Sequence, residues 1–142
     1  MSYENEKREI KVLMVCYEPA SVSIEECLLG GQGGLRVVTA SSNNEALDTI
    51  EKTKPDVIVG DSPGFSVNGR AKIFELVKTL RSKNNQTPFI VFAYDDEKIP
   101  FQEICGLGTI RFVTKSVNAP ISYSILKNQI ISIASHMDKA SK

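Results

Sequence analysis

Two side chains able to do chemistry together stand at the ends of two apolar runs of the sequence. Asp61 follows the run Asp56–Gly60, and the turn-forming residues Ser62-Pro63-Gly64 come directly after it. Lys115 closes a second run, Ile110–Thr114. A carboxylate that faces an ammonium group suits the binding or transfer of a phosphoryl or carboxylate group. Taken alone, Asp61 is better explained as a turn residue, because Asp side chains accept hydrogen bonds from nearby backbone N–H groups. The chemical interpretation requires a fold that brings the two side chains together.

The elements that would position these side chains alternate along the chain. Five short runs rich in Val, Ile and Phe are typical of strands that are covered on both faces. They are Ile10–Val15, Leu35–Ala40, Asp56–Gly60, Phe89–Ala93 and Ile110–Thr114. Helices are predicted between and after them, at Ser21–Leu29, after the capping-box sequence Ser42-Asn43-Asn44-Glu45, at Arg70–Arg81, at Glu97–Cys105 and from Asn118 to Met137.

This alternation predicts an α/β fold with a five-stranded parallel sheet and helices on both faces. The expected strand order is 2-1-3-4-5, as in flavodoxin-like folds, and it puts the topological switch point between strands 1 and 3. Ligands of such sheets bind outside the carboxyl ends of the strands. The strand ends that meet there are those at Cys16-Tyr17-Glu18, Asp61, Ala93 and Lys115.

Length and charge narrow the class of protein. The 142 residues suit one domain, and Lys plus Arg equals Asp plus Glu at 17 each, which argues against nucleic acid or an anionic membrane as a partner. No apolar run reaches the ~20 residues of a membrane span, and three scattered cysteines fit a reduced cytoplasm. We therefore expect a cytoplasmic protein with a polar tail at 1–9, one domain at 10–137 and a tail or linker start at 138–142, which leaves no room for a DNA-binding output domain.

The pattern resembles the receiver domain of two-component response regulators over residues 10–137. KVLMVCYEP from Lys11 is similar to the family's first strand and loop, and DSPGFSVNG is similar to its segment from the phosphoacceptor Asp to a Gly eight residues later. TPFIVFAYDDE and RFVTKS are similar to its fourth and fifth strands. The resemblance implies that Asp61 accepts a phosphoryl group from a histidine kinase, that Lys115 neutralises its charge, and that Ala93 and Phe112 hold the family's switch positions.

The sequence departs from this family at the residues that bind Mg²⁺. The family ends its first strand with two adjacent carboxylates, where this chain has Cys16 and Tyr17. A thiol and a neutral phenol are poor ligands for Mg²⁺, which prefers oxygen ligands that carry charge. Glu18 is a doubtful substitute beside Asp61, because the family's geometry points this position away from the site. We therefore expect Mg²⁺ to bind weakly, and no other cofactor.

The departures at the switch positions affect readout. The hydroxyl that contacts the phosphoryl group in the family is missing at Ala93, so Phe112 is expected to be a packing residue. Two hypotheses follow. The first is a phosphorelay receiver, with Asp61 as the phosphoacceptor. The alternative is a pseudo-receiver that binds proteins without phosphorylation, because Cys16 and Tyr17 replace the acidic pair.

Both hypotheses describe a signalling domain and not an enzyme, either free-standing or as the receiver segment of a larger sensor histidine kinase. The expected partners are a histidine kinase or another signalling protein. A homodimer through the predicted fourth helix, the fifth strand and the last helix is one interpretation of the Ile-rich last helix, and a buried core face is the other. A flavodoxin-like enzyme or flavin carrier is disfavoured, because the loop Tyr17–Ser21 lacks the glycines and hydroxyls that cradle a phosphate.

Overall fold

The computed structural model describes residues 9–17, 34–62, 67–94, 106–115 and 119–140. Its strands are β1 (Ile10–Cys16), β2 (Leu35–Ala40), β3 (Val57–Asp61), β4 (Phe89–Tyr94) and β5 (Ile110–Lys115). Its helices are α1 (Asn43–Thr53), α2 (Val67–Ser82) and α3 (Ala119–Ala140). Every predicted strand is found within one residue of its predicted ends. The helices predicted at Ser21–Leu29 and Glu97–Cys105 lie outside the described residues.

The strands form one parallel sheet in the order β2-β1-β3-β4-β5, which confirms the predicted topology. The register fixes which side chains meet at its carboxyl edge. Cys16 is paired with Asp61, Asp61 with Phe92, and Tyr94 with Lys115. The last residues of β1 and β3 are therefore neighbours, and so are those of β4 and β5, at the edge where a ligand site at the switch point would lie.

Helix α1 begins where the capping box was predicted, with one difference. The Ser42 side chain accepts a hydrogen bond from the backbone N–H of Glu45, at 3.1 Å. The difference is the partner of Glu45: in a capping box its carboxylate accepts from the N-cap residue, Ser42. Here it accepts from the N–H and hydroxyl of Ser41, at 2.8 and 3.0 Å, and these bonds lower the pKa of Glu45. The helix ends at Lys54, which is left-handed with a φ of 49° and donates its N–H to Ile50. Local capping therefore fixes both ends of α1.

The other two helices are longer than predicted. Helix α2 begins at Val67 instead of Arg70, and α3 continues to Ala140, beyond the domain end expected at residue 137. The apolar stripe that predicted α3 covers only part of it, and its last turn consists of residues that do not interrupt a helix. Among the described helices, none is both long enough and apolar enough to cross a membrane.

Two apolar clusters lie on opposite faces of the sheet, as predicted for a doubly covered sheet. Helices α1 and α2 cover the first, whose members include Leu13, Val15, Ala46, Ile50, Ile58, Ile73, Leu76, Leu80, Phe89, Val91 and Ala93. Helix α3 covers the second with Leu126, Ile130 and Ile133, which pack against Val12, Met14, Val59, Ile90 and Phe92. Packing is close at Gly60 in β3, where a Cβ atom would lie 2.9 Å from the ring of Phe89.

The amino edge of the sheet is held by one arginine. Arg81, near the end of α2, donates to the carbonyl oxygens of Leu107 at 2.6 Å, Asn85 at 2.9 Å and Thr87 at 3.0 Å. A longer bond of 3.4 Å reaches the carbonyl of Thr109. The partial burial of the guanidinium lowers the pKa of Arg81. These bonds tie the loops that lead into β4 and β5 to α2, and they give backbone carbonyls in these loops a hydrogen-bond donor.

Candidate functional site

Asp61 and Lys115 form an ion pair at the carboxyl edge of the sheet. Strand β3 ends at Asp61 and β5 ends at Lys115, and the Lys115 Nζ binds Asp61 Oδ1 directly. The same Nζ donates to the carbonyl of Ser62 at 2.7 Å. The two side chains are 5% and 14% exposed, so the pair is largely removed from water. The fold thus brings together the two residues that the sequence singled out for chemistry.

Two aromatic rings enclose the ammonium group of Lys115. Its Nζ lies 5.3 Å from the centre of the Phe92 ring and 5.4 Å from that of Tyr94. These distances are within the range of cation–π attraction. Neither ring was predicted from the sequence, although the two-residue period of β4 puts positions 92 and 94 on one face. The register of Tyr94 with Lys115 identifies that face.

Cys16 occupies the space beside Asp61 that a carboxylate fills in the resembled family. It is 1% exposed, and its Sγ donates to Asp61 Oδ2 at 3.5 Å. A thiol is a weak donor, so this bond stabilises the carboxylate less than an N–H or O–H would. Asp61 is therefore contacted on one oxygen by an ammonium group and on the other by a thiol.

Tyr17 is directed away from Asp61, toward helices α1 and α2. Its hydroxyl donates to Asn43 Oδ1 at 2.7 Å, and Asn43 Nδ2 donates to the carbonyl of Lys72 at 2.9 Å. The Lys72 Nζ also lies 5.6 Å from the centre of the Tyr17 ring. Burial, and then the negative charge of Glu75, raise the pKa of Tyr17 well above its ordinary value. Tyr17 therefore joins β1 to α1 and α2, a role the sequence did not reveal because Asn43 read as part of a cap.

The described residues of the site do not offer the set of oxygen ligands that Mg²⁺ prefers. Among the residues that the structure describes, no group of three or more His, Cys, Asp or Glu side chains could hold a metal ion. Asp61 is neutralised by Lys115, Cys16 is a soft donor, and the Tyr17 hydroxyl bonds elsewhere. Glu18, the doubtful substitute ligand, lies outside the described residues.

The two predicted switch positions lie on the face of the sheet that α1 and α2 cover. Ala93 is fully buried in the first apolar cluster, and Phe112 is partly buried against the same cluster. Ala93 carries no hydroxyl, and its neighbour across the sheet is Thr114. The described geometry is that of packing at both positions.

Comparison with known proteins defines the class of this chain. No protein-family model matches it. The alkaline phosphatase synthesis transcriptional regulatory protein PhoP of Bacillus subtilis is 31% identical over 134 residues, which cover 89% of this chain. The match covers 53% of PhoP, so the chain spans about half the length of this relative.

Solved structures of receiver domains and of a chemotaxis protein superpose on this chain and share its fold. The receiver domain of a Francisella response regulator superposes with a TM-score of 0.71 at 24% identity, covering 91% of this chain and 99% of that one. The signal receiver domain of a Luxo repressor protein from Vibrio parahaemolyticus gives 0.74 at 14% identity, covering 94% and 95%. The chemotaxis protein CheY4 of Vibrio cholerae gives 0.68 at 25%, covering 86% and 98%. The chain has the fold of the CheY-like receiver domains of response regulators, as its sequence predicted.

Proposed function

We propose that this receiver domain is a protein-interaction module of a two-component signalling system whose partner binding requires neither phosphorylation nor Mg²⁺. The observation that carries the proposal is the contribution of β1 to the site. Cys16 offers Asp61 a thiol, and the Tyr17 hydroxyl is bonded to Asn43. The end of β1 therefore supplies no negative charge beside the carboxylate.

Phosphoryl transfer to a carboxylate depends on positioning and on charge neutralisation. A full charge about 4 Å away is worth up to ~4 kcal/mol at an effective dielectric near 20. The cation available among the described site residues is Lys115, which already neutralises Asp61. The described residues of the pocket therefore supply no further charge stabilisation that would make transfer fast.

A second function is favoured by the ion pair itself. In this alternative, a histidine kinase donates a phosphoryl group to Asp61. Oδ2, which accepts a weak thiol bond from Cys16, would form the new bond to phosphorus as the bond from phosphorus to the donor breaks. Lys115 would then neutralise the added charge. Asp61 and Lys115 are suited to these roles by their contact and burial.

The intact mass of the purified chain separates the two functions. The chain is incubated with Mg²⁺ and acetyl phosphate, beside Asp61→Asn as the control. We expect no gain of mass in the wild-type chain. A gain of one phosphate that Asp61→Asn abolishes would overturn the proposal and support the phosphoacceptor, and a negative result is repeated with a histidine kinase as donor. Cys16→Asp, which restores one carboxylate, is expected to gain more phosphate than the wild-type chain.

The proposed partner surface is the solvent face of α3 beside β5. Large apolar side chains are exposed there at Ile121 and Ile125, to 54% and 47%. The exposed positions of this face carry no charge; they are Ile121, Ser124, Ile125, Asn128, Ser132 and Ser135. Solvent faces of helices are usually charged, and loss of charge is typical of interface cores. A two-fold interface opposes each residue with its own counterpart, so a face without charge suits a second copy of this chain.

The proposed dimer is tested by sedimentation over a range of protein concentrations. We expect the wild-type chain to be a dimer and the Ile125→Lys variant to be a monomer. In the variant, the two new charges would face each other across the two-fold axis. Glu51→Lys, which adds a positive charge on the exposed side of α1, is the matched control and should leave the dimer intact. A wild-type chain that stays monomeric at every concentration would refute the dimer and leave a different protein as the partner.

We also place this module in the cytoplasm, as the sequence predicts, where two-component partners such as histidine kinases present their phosphoryl groups. Its equal numbers of acidic and basic residues support a protein partner over nucleic acid or an anionic membrane. In this proposal the module acts either alone or as the receiver segment of a larger sensor histidine kinase.

A further inference from the structure

We infer that Asp61 and Lys115 are positioning residues for α3, and that they act on this helix through the rings of Phe92 and Tyr123. The inference rests on the proposed function, because it gives the ion pair a role in a module that transfers no phosphoryl group. It also names a route from the site to the proposed partner surface.

The contacts that make up the route are continuous. Lys115 binds Asp61 and lies 5.3 Å from the centre of the Phe92 ring. Phe92 is fully buried, and its ring centre lies 5.2 Å from that of Tyr123, with 60° between the ring planes. Tyr123 belongs to α3 and stands between the exposed residues Ile121 and Ile125 in the sequence. Three side-chain contacts therefore connect the carboxylate of β3 with α3, on the side of the helix that packs against the sheet.

Burial explains why a change at Asp61 is passed along this route. The Lys115 side chain is 14% exposed, so its charge cannot turn freely to water when its carboxylate partner is removed. Among the described residues, the groups that then attract this cation are the Ser62 carbonyl and the rings of Phe92 and Tyr94. Phe92 sits in a close-packed cluster, and such clusters shift between arrangements because they compress little. A displaced Phe92 must therefore move its neighbour Tyr123.

This route runs on the opposite face of the sheet from the predicted switch residues. Phe92 belongs to the cluster that α3 covers, whereas Ala93 and Phe112 belong to the cluster under α1 and α2. In the family that the sequence resembles, the residue at the position of Ala93 carries a hydroxyl that contacts the phosphoryl group. Here Lys115 and its aromatic neighbours provide a contact that needs no hydroxyl.

The test follows the ring signals of tyrosine by NMR in the full chain, which has four tyrosines to assign. Asp61→Asn is expected to shift the ring signals of Tyr123. The same substitution is then made in a Phe92→Leu background, where the shift caused by Asp61→Asn should be lost. This double-mutant comparison isolates the coupling through Phe92 from the effect of either change alone. Lys115→Met is a second variant that should also shift Tyr123.

Asp56→Asn is the matched control. Asp56 also accepts a hydrogen bond, from the backbone N–H of Lys11 at 2.8 Å, but it lies at the amino edge of the sheet. Its loss tests whether any destabilising Asp→Asn change moves Tyr123, and no shift is expected. The inference is overturned if Asp61→Asn leaves Tyr123 unchanged, if Asp56→Asn shifts it equally, or if the shift survives Phe92→Leu. A gain of phosphate in the mass experiment would refute the proposed function without touching this result.

Discussion

At the scale of single residues, the buried Asp61–Lys115 pair has two contributions of opposite sign. Both charged groups lose water when the chain folds, and their contact offsets this loss only while both are present. The carbonyl of Ser62 and the two rings add partners for the ammonium group. Removal of one member should therefore cost more than removal of both charges together.

We predict that Lys115→Met lowers the free energy of unfolding by about 3 kcal/mol, because it leaves the Asp61 carboxylate buried without its cation. Addition of Asp61→Asn to Lys115→Met should recover part of this loss, since no uncompensated charge then remains. Urea unfolding of the single and double variants measures both effects. A double variant that is less stable than Lys115→Met would contradict this account of the pair.

Tyr17 is predicted to stabilise the fold through its hydroxyl. Tyr17→Phe removes the bond to Asn43 Oδ1 and should lower the free energy of unfolding by about 1 kcal/mol at neutral pH. Tyr94→Phe, at a position that is 36% exposed, is the comparison variant and should have a smaller effect. Equal losses in the two variants would show that the bond to Asn43 is not the source of the stability.

The raised pKa of Tyr17 gives a second, pH-dependent prediction. The folded chain holds the phenol proton at a pH where the unfolded chain, with an ordinary tyrosine pKa of 10.0, releases it. The stability from Tyr17 is therefore complete below pH 10 and is lost as the pH rises through the folded pKa. The stability difference between wild type and Tyr17→Phe should shrink above pH 10, as measured by urea unfolding at each pH. A constant difference would refute the assignment.

Residue types predicted part of the site and missed part of it. Asp61 and Lys115 were predictable, because each ends an apolar run and parallel strands share one edge. The direction of Tyr17 was not, since it depends on Asn43, whose side chain accepts from Tyr17 and donates to Lys72. The contact of Lys115 with the rings of Phe92 and Tyr94 was not predicted, because the sequence shows Phe92 only as one more apolar residue of a strand.

At the scale of elements, Gly60 shows how closely β3 and its neighbours pack. We predict that Gly60→Ala lowers the free energy of unfolding by about 1–3 kcal/mol, the usual result of overpacking. Its Cβ would lie 2.9 and 3.0 Å from ring atoms of Phe89, which is fully buried and cannot turn aside. Gly106→Ala is the matched control, since a Cβ there meets nothing within 4 Å. Similar stability of the two variants would contradict the prediction.

The elements were predicted more accurately than the site, for a physical reason. A strand covered on both faces must be apolar along its whole length, so its ends are marked where polar residues begin. Helix ends are set by capping bonds, and Ser42 marked the start of α1 correctly. The end of α3 carried no such signal, and both α2 and α3 extend beyond their apolar stripes.

At the scale of the whole molecule, the misfit between the site and Mg²⁺ leads to a prediction about thermal stability. A ligand that binds the folded state stabilises it by about 1.4 kcal/mol at about ten times its dissociation constant. We expect the melting temperature of the wild-type chain to be unchanged by millimolar Mg²⁺, because Cys16 gives Asp61 a thiol and no second carboxylate. Cys16→Asp should make the melting temperature rise with Mg²⁺, as followed by calorimetry. A Mg²⁺-dependent rise in the wild-type chain would refute the misfit.

The arginine clamp at the amino edge has a consequence for protein engineering. Arg81 anchors the loops before β4 and β5, and the Lys11 N–H is bonded to Asp56 at the same edge. These anchors stand at the far ends of the strands from Asp61 and Lys115. The residues of the pocket can therefore be changed without the loss of these bonds. New ligand-binding residues introduced at the carboxyl edge would stand on a sheet whose amino edge is still held by Arg81 and Asp56.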